Sequence, residues 1–159
     1  MSGEKDYSTL VELLQYRSQH QSNRTAYTFL ADGENEAVSM TYQQLDLQAK
    51  VIACSLQSRQ MAGNTALLVY PYDGGLEFIA AFFGCLYANA IAVPCHPPRN
   101  RHASQDLAAR LASSQAKIVL TTKNTPTQAQ KSASDSRTAS RVANYRCSFP
   151  SYGLARTKY

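Results

Sequence analysis

The chain contains no CxxC pair, no GxxxxGK[ST] phosphate loop and no GxSxG nucleophile turn. These gaps remove the usual signatures of thiol redox centres, P-loop nucleotide binding and serine acyl transfer. Its three histidines, His20, His96 and His102, have no His or Cys partner at helical spacing, so no metal site is expected. No run reaches the roughly 20 apolar residues needed to cross a bilayer. The longest uncharged stretch, Phe78 to Val93, is interrupted by Gly84 and Asn89 and closed by Pro94; it reads as a buried helix and then a strand. The first residues lack the basic, apolar and small-residue series of a secretory leader. Four cysteines, at 54, 85, 95 and 147, include two in apolar runs, which fits a reducing, cytoplasmic setting.

What is present is enough for one compact domain and too little for two of usual size: 159 residues, 44% hydrophobic and 17% charged. The net charge of +5 is unevenly placed. Residues 1–122 hold nine Lys and Arg against ten Asp and Glu, whereas residues 123–159 hold seven basic groups and only Asp135. Strong apolar residues after Lys123 are limited to Val142, Phe149 and Leu154, and Thr125 to Arg141 follows neither a helical nor a strand period. Pattern therefore predicts a folded unit over 1–122 and a basic, low-complexity, disordered tail over 123–159.

Within 1–122, Thr9 and Glu12 have capping-box spacing ahead of Leu10, Leu13 and Leu14, predicting a helix to His20. Arg24–Ala31 and Ala37–Met40, separated by Asp32-Gly33, predict a hairpin. Thr41 and Gln44 repeat the capping spacing before Leu45, Ala49, Ile52, Ala53 and Leu56, an amphipathic helix to Ser58. Short apolar strands then alternate with helices: Ala66–Tyr70, helix Leu76–Ala88, Ile91–Val93, helix Ser104–Gln115, Ile118–Thr121. Strands without polar alternation are buried on both faces, so this β-α-β-α-β series predicts an α/β fold with a parallel sheet. After Glu77 every residue of the middle helix is apolar, small or Tyr. Such a helix belongs inside a larger protein, and three strands with one amphipathic helix cannot cover all of it.

Chemistry-bearing patterns are few. Asp73-Gly74-Gly75 lies between strand and helix, where a phosphate-binding turn would lie, but it lacks GxGxxG spacing and Asp73 repels phosphate; a plain turn is the expectation. Cys95 and His96 are adjacent and point apart in extended chain, so Cys95 is expected to be structural. Arg99 and Arg101, in a proline-stiffened loop beyond a strand's carboxyl end, are placed to meet a phosphate, with a solvated loop as the plainer alternative.

The ordered series STLVELL from Ser8, RTAYTFL from Arg24, Thr41-Tyr42, FIAAFFGCLYA from Phe78, IAVP from Ile91 and Pro97-Pro98-Arg99 resembles the fatty acyl-AMP ligases, of the adenylate-forming superfamily. The resemblance covers about Ser8 to Thr122 and falls at the start of that family's large N-terminal domain. It implies activation of a fatty acid by ATP, with magnesium, to an acyl-adenylate. Transfer to an acyl carrier protein, or to a polyketide or nonribosomal synthase module, follows in the family. The family's Thr/Ser/Gly-rich phosphate loop, its adenine and ribose motif and its lid lysine do not occur here, so no catalytic, cofactor-binding or metal residue is assigned. Tyr72-Asp73-Gly74-Gly75 is longer than the family's Pro-Gly turn, and Asn89 and His96 stand where Gly and Tyr are frequent.

The expectation is a truncated ligase that makes no acyl-adenylate alone, binds no cofactor itself, and carries a frame change or truncation near Thr122. A non-catalytic α/β module docking a carrier protein or a split-enzyme partner is the alternative. A nucleic-acid arm is weaker: the tail offers only Tyr145, Phe149, Tyr152 and Tyr159 for stacking and no clustered basic run.

Overall fold

In a computed structural model, residues 6–30, 33–97, 101–122 and 143–146 are described. The order is α1 (Leu10–His20), β1 (Thr25–Leu30), β2 (Glu36–Thr41), α2 (Tyr42–Gln57), β3 (Thr65–Val69), a 3-10 turn (Tyr72–Gly74), α3 (Gly75–Tyr87), β4 (Ile91–Cys95), α4 (Arg101–Ser114), β5 (Ile118–Thr121) and β6 (Ala143–Arg146). Strands β1 and β2 form an antiparallel pair, and the other four form a parallel sheet in the order β4-β3-β5-β6.

Strand β3 is the centre of this unit. Its residues Ala66 to Val69 have no exposure, and alternate side chains enter two separate cores, as a period of two requires. Ala66, Leu68 and Tyr70 join Ile52 and Leu56 of α2 and Ala81 and Cys85 of α3. Leu67 and Val69 meet Leu107 and Leu111 of α4. The chain moves from β3 to β4 through α3 and then back past β3 to β5 through α4, so right-handed crossovers place the two helices on opposite faces.

Local chemistry explains the helix ends. The Thr41 hydroxyl accepts the Gln44 N–H while the Gln44 side chain accepts the Thr41 N–H, a complete capping box. At α1 the Thr9 hydroxyl accepts the Glu12 N–H, but the Glu12 carboxylate reaches back to the Ser8 N–H instead of that of Thr9. Helix α3 ends with Asn89 at φ 54°. There the Asn89 N–H donates to Leu86 O and the Ala90 N–H to Cys85 O, the paired bonds of a Schellman ending, in which Asn is the usual substitute for Gly.

Strand β4, expected to be buried on both faces, is an edge with Ile91 54% exposed, and two further features differ from expectation. Pattern places no element after Thr122, whereas β6 pairs in parallel with β5, Ile118 opposite Ala143 through Thr121 opposite Arg146. An edge strand needs only backbone hydrogen bonds on one side, so hydrophobic periodicity does not announce it. Helix α4 also starts earlier than Ser104, at Arg101. No described helix is long and apolar enough to cross a membrane.

Candidate functional site

In an open parallel sheet the carboxyl ends of the strands point to one end, where ligands of such folds sit. Here that end is built from Tyr70 and the turn after β3, Cys95 to Pro97 after β4, and Thr121 and Thr122 after β5. The two threonines are buried. Tyr72 projects into solvent at 79% exposure, with its ring 5.9 Å from that of Phe29 of the hairpin.

The Asp73-Gly74-Gly75 turn lies where its sequence position indicated, and its glycines serve a steric need. Neither takes a positive φ. A Cβ on Gly74 would stand 3.0 Å from the Thr122 methyl and 3.3 Å from a Glu77 carboxylate oxygen. A side chain at this position would therefore crowd the Thr122 methyl at β5's exit. Glu77 adds negative charge in the first turn of α3, where the helix dipole favours an anion, and so takes the role that a phosphate would have. Among the described residues no three His, Cys, Asp or Glu side chains gather at metal-binding distance.

Cys95 is half-buried, and its thiol lies 3.6 Å from the His96 carbonyl oxygen. Burial pushes the thiol's pKa up, opposed in part by the Arg110 charge, which leaves it protonated near neutral pH. The His96 side chain is exposed. Arg99 lies outside the described residues, and Arg101 and His102 are placed only as backbone in the first turn of α4. The structure thus joins Gly74, Glu77 and Thr122 but assembles no Cys-His pair among the described side chains.

A second polar place lies between α1 and α2, a groove of about 440 Å³ lined by Ser18, Gln19, Ser22, Gln43, Asp46, Leu47 and Lys50. Asp46 is buried, yet both carboxylate oxygens are used: Lys50 Nζ donates to Oδ2 at 2.6 Å and the Tyr87 hydroxyl to Oδ1 at 2.6 Å. Desolvation, followed by the Asp46 hydrogen bond and charge, holds the Tyr87 phenol well above its ordinary pKa. The cluster anchors α2 to the C-terminal end of α3 and leaves no base free for chemistry. The i,i+4 spacing of Asp46 and Lys50 was visible in the sequence; Tyr87, 41 residues from Asp46, was not an evident partner.

Comparison with known proteins agrees with this architecture. The AMP-binding enzyme family matches residues 14–153. The chain is similar to the medium-chain-fatty-acid–[acyl-carrier-protein] ligase JamA of Moorena producens, 46% identical over 133 residues, covering 82% of this chain and 22% of that protein. It is 34% identical over 113 residues to the long-chain-fatty-acid–AMP ligase FadD26 of Mycobacterium tuberculosis, covering 69% of this chain and 19% of that one. Among solved structures, a fatty acid AMP ligase from Legionella pneumophila superposes with a TM-score of 0.65 at 41% identity, over 73% of this chain and 20% of that one. The chain belongs to the AMP-binding enzymes. Within them it is similar to fatty acyl-AMP ligases, and it spans about a fifth of the length of these relatives. The matched range passes Thr122 and takes in β6, beyond the point where motif resemblance had stopped.

Proposed function

We propose that this chain supplies the opening α/β unit of an acyl-adenylating domain and that the complete enzyme activates a fatty acid with ATP and magnesium, then passes it to an acyl carrier protein. Residues 1–122 carry the unit, and β6 extends its sheet. The observation behind this reading is the 46% identity to a carrier-protein ligase over 133 residues, 82% of this chain. The contribution of this stretch is scaffold, because adenylation requires cations and N–H donors fixed around the developing phosphoryl charge. The turn after β3 is instead filled by Thr122 and Glu77.

The purified 159-residue chain is expected to release no pyrophosphate from ATP and a medium-chain fatty acid. A JamA chimaera in which residues 14–153 of this chain replace the matching stretch is expected to retain fatty-acid-dependent pyrophosphate release. An active isolated chain would overturn the scaffold assignment, and a folded but inactive chimaera would overturn the ligase reading.

A further inference from the structure

Helix α2 carries a second apolar periodicity, and it faces outward. Gln44, Leu47, Val51, Cys54 and Ser58 follow one another at spacings of three, four, three and four residues, the a/d repeat of a coiled-coil seam. This seam lies on the side away from the core. Leu45, Ala49, Ile52 and Leu56 of the same helix are buried, while Leu47 is 56% exposed, Val51 is 64% exposed and Cys54 is exposed. Single apolar side chains on a surface need no explanation, but three aligned on one helix face do. No charge interrupts them. The two charged side chains of α2, Asp46 and Lys50, hold each other at 2.6 Å, so the helix offers no net charge to a partner. The ends of the seam are polar and already engaged: Gln44 in the capping box and the Ser58 hydroxyl on the Ser55 carbonyl.

We propose that this stripe docks a second copy of the chain, α2 against α2, as a weak homodimer. Self-complementarity selects a copy over another partner. Matched knob for knob, the seam fits itself whichever way the second helix runs: Val51 meets its own counterpart in both cases, and Leu47 meets either Leu47 or Cys54. A contact of this isologous kind closes as a pair and does not propagate into filaments. An acidic or basic partner finds little to match, because Asp46 already neutralises Lys50. Size sets the strength. The three knobs occupy about two turns, about 11 Å of helix axis, a contact well under the roughly 800 Å² per partner of a tight complex. The pair therefore belongs to the transient class, half-formed at a concentration on the order of 0.1 mM. The inference is independent of the ligase reading, since neither the stripe nor its test involves acyl-adenylating chemistry.

The test is sedimentation equilibrium of the 159-residue chain from about 10 µM to about 1 mM. The mass is expected to rise from 17.5 kDa toward twice that value. Val51→Glu sets two carboxylates against each other across the seam and is expected to raise the half-association concentration at least about tenfold. Leu47→Glu is expected to do the same and serves should the first variant fail to fold. Leu10→Glu, at a leucine of α1 that is exposed but off the seam, is expected to stay within about twofold. Proximity gives a second readout. In a Cys54→Ser background, Val51→Cys is expected to form a disulfide-linked dimer under copper-phenanthroline oxidation at least about tenfold faster than Leu10→Cys, with the linked peptides mapped by mass spectrometry. A folded chain that stays monomeric throughout overturns the inference, as does association that Val51→Glu and Leu47→Glu leave unchanged. Slow maleimide labelling of Cys54 at every concentration, together with a monomeric mass, would place a segment of the same chain on the stripe and overturn it as well.

Discussion

Helices α2 and α3 pack side by side yet answer the same problem differently. Helix α2 buries Leu45, Ala49, Ile52, Ala53 and Leu56 and turns Gln43, Gln44, Lys50 and Gln57 to water, the ordinary polarity stripe of a surface helix. Helix α3 has no polar stripe, so its sides differ only in bulk. Small residues permit the close approach to α2, and large ones wait on the other side. Even so, α2 leaves Leu47 56% and Val51 64% exposed, whereas Ile79, Phe82 and Phe83 of α3 are partly buried against the same core.

The largest test of this contrast is on α2. Leu56→Ala, at a side chain 1% exposed, is expected to lower stability by about 2–5 kcal/mol. Val51→Ala, 64% exposed on the same helix, should stay within about 0.5 kcal/mol. Urea unfolding midpoints of the chain measure both, and similar losses would mean that α2's outer side is also covered.

Next is the helix contact itself. A Cβ on Gly84 would stand 2.6 Å from Ile52 Cγ2, 2.7 Å from Ile52 Cβ and 3.2 Å from the Ala49 carbonyl oxygen. Gly84→Ala gains about 1 kcal/mol of helix propensity but forces the helices apart at a cost of about 1–3 kcal/mol, so a net loss of about 1 kcal/mol is expected. Combining it with Ile52→Ala should show coupling of at least about 0.5 kcal/mol. Additive losses would show that Gly84 is not where α2 and α3 touch most closely.

Tyr87 bridges the two helices through Asp46. Removing a hydrogen bond to a charged acceptor costs about 1.5–3 kcal/mol, and partial exposure of the pair trims the expectation for Tyr87→Phe to about 1 kcal/mol. A phenol with its pKa raised by folding keeps its proton longer in the folded state. Its stabilisation is complete below the ordinary value of 10.0 and is lost as pH rises through the higher folded value. The native chain should therefore lose stability above about pH 10 more steeply than Tyr87→Phe, read as unfolding midpoints from about pH 8 to about pH 11. Parallel curves would remove Tyr87 from the alkaline response.

Local signals were legible. Thr41 with Gln44 marked the start of α2 and the run from Phe78 marked α3, each because neighbours in sequence determine the geometry. Unbroken apolar runs gave the doubly buried β3 and β5 for the same reason. Juxtapositions were not legible. That Gly74 makes room for Thr122, that Tyr87 closes on Asp46, or that Phe29 stands over Gly75 depends on crossovers that bring distant residues together. Strand β6 was not legible because backbone bonding to an edge leaves no side-chain pattern. The turn at Asp73-Gly74-Gly75 was thus located from sequence, while the reason for its glycines lay in the fold.

The smallest expected effect concerns how α2 begins, and it separates local capping from packing. Thr41→Ala removes the hydroxyl that accepts the Gln44 N–H and breaks the reciprocal box, for an expected loss of about 1 kcal/mol. Thr9→Ala removes one cap bond at α1, whose Glu12 carboxylate stays on Ser8, so about 0.5 kcal/mol is expected there. Helix α3 has no side-chain cap at Gly74; its start is fixed by the fit against Thr122 and by Glu77 on the helix dipole. Unfolding midpoints should rank Thr41→Ala below Thr9→Ala. The reverse order would mean that α2 is held by Ile52 and Leu56 alone, making its packing as independent of caps as that of α3.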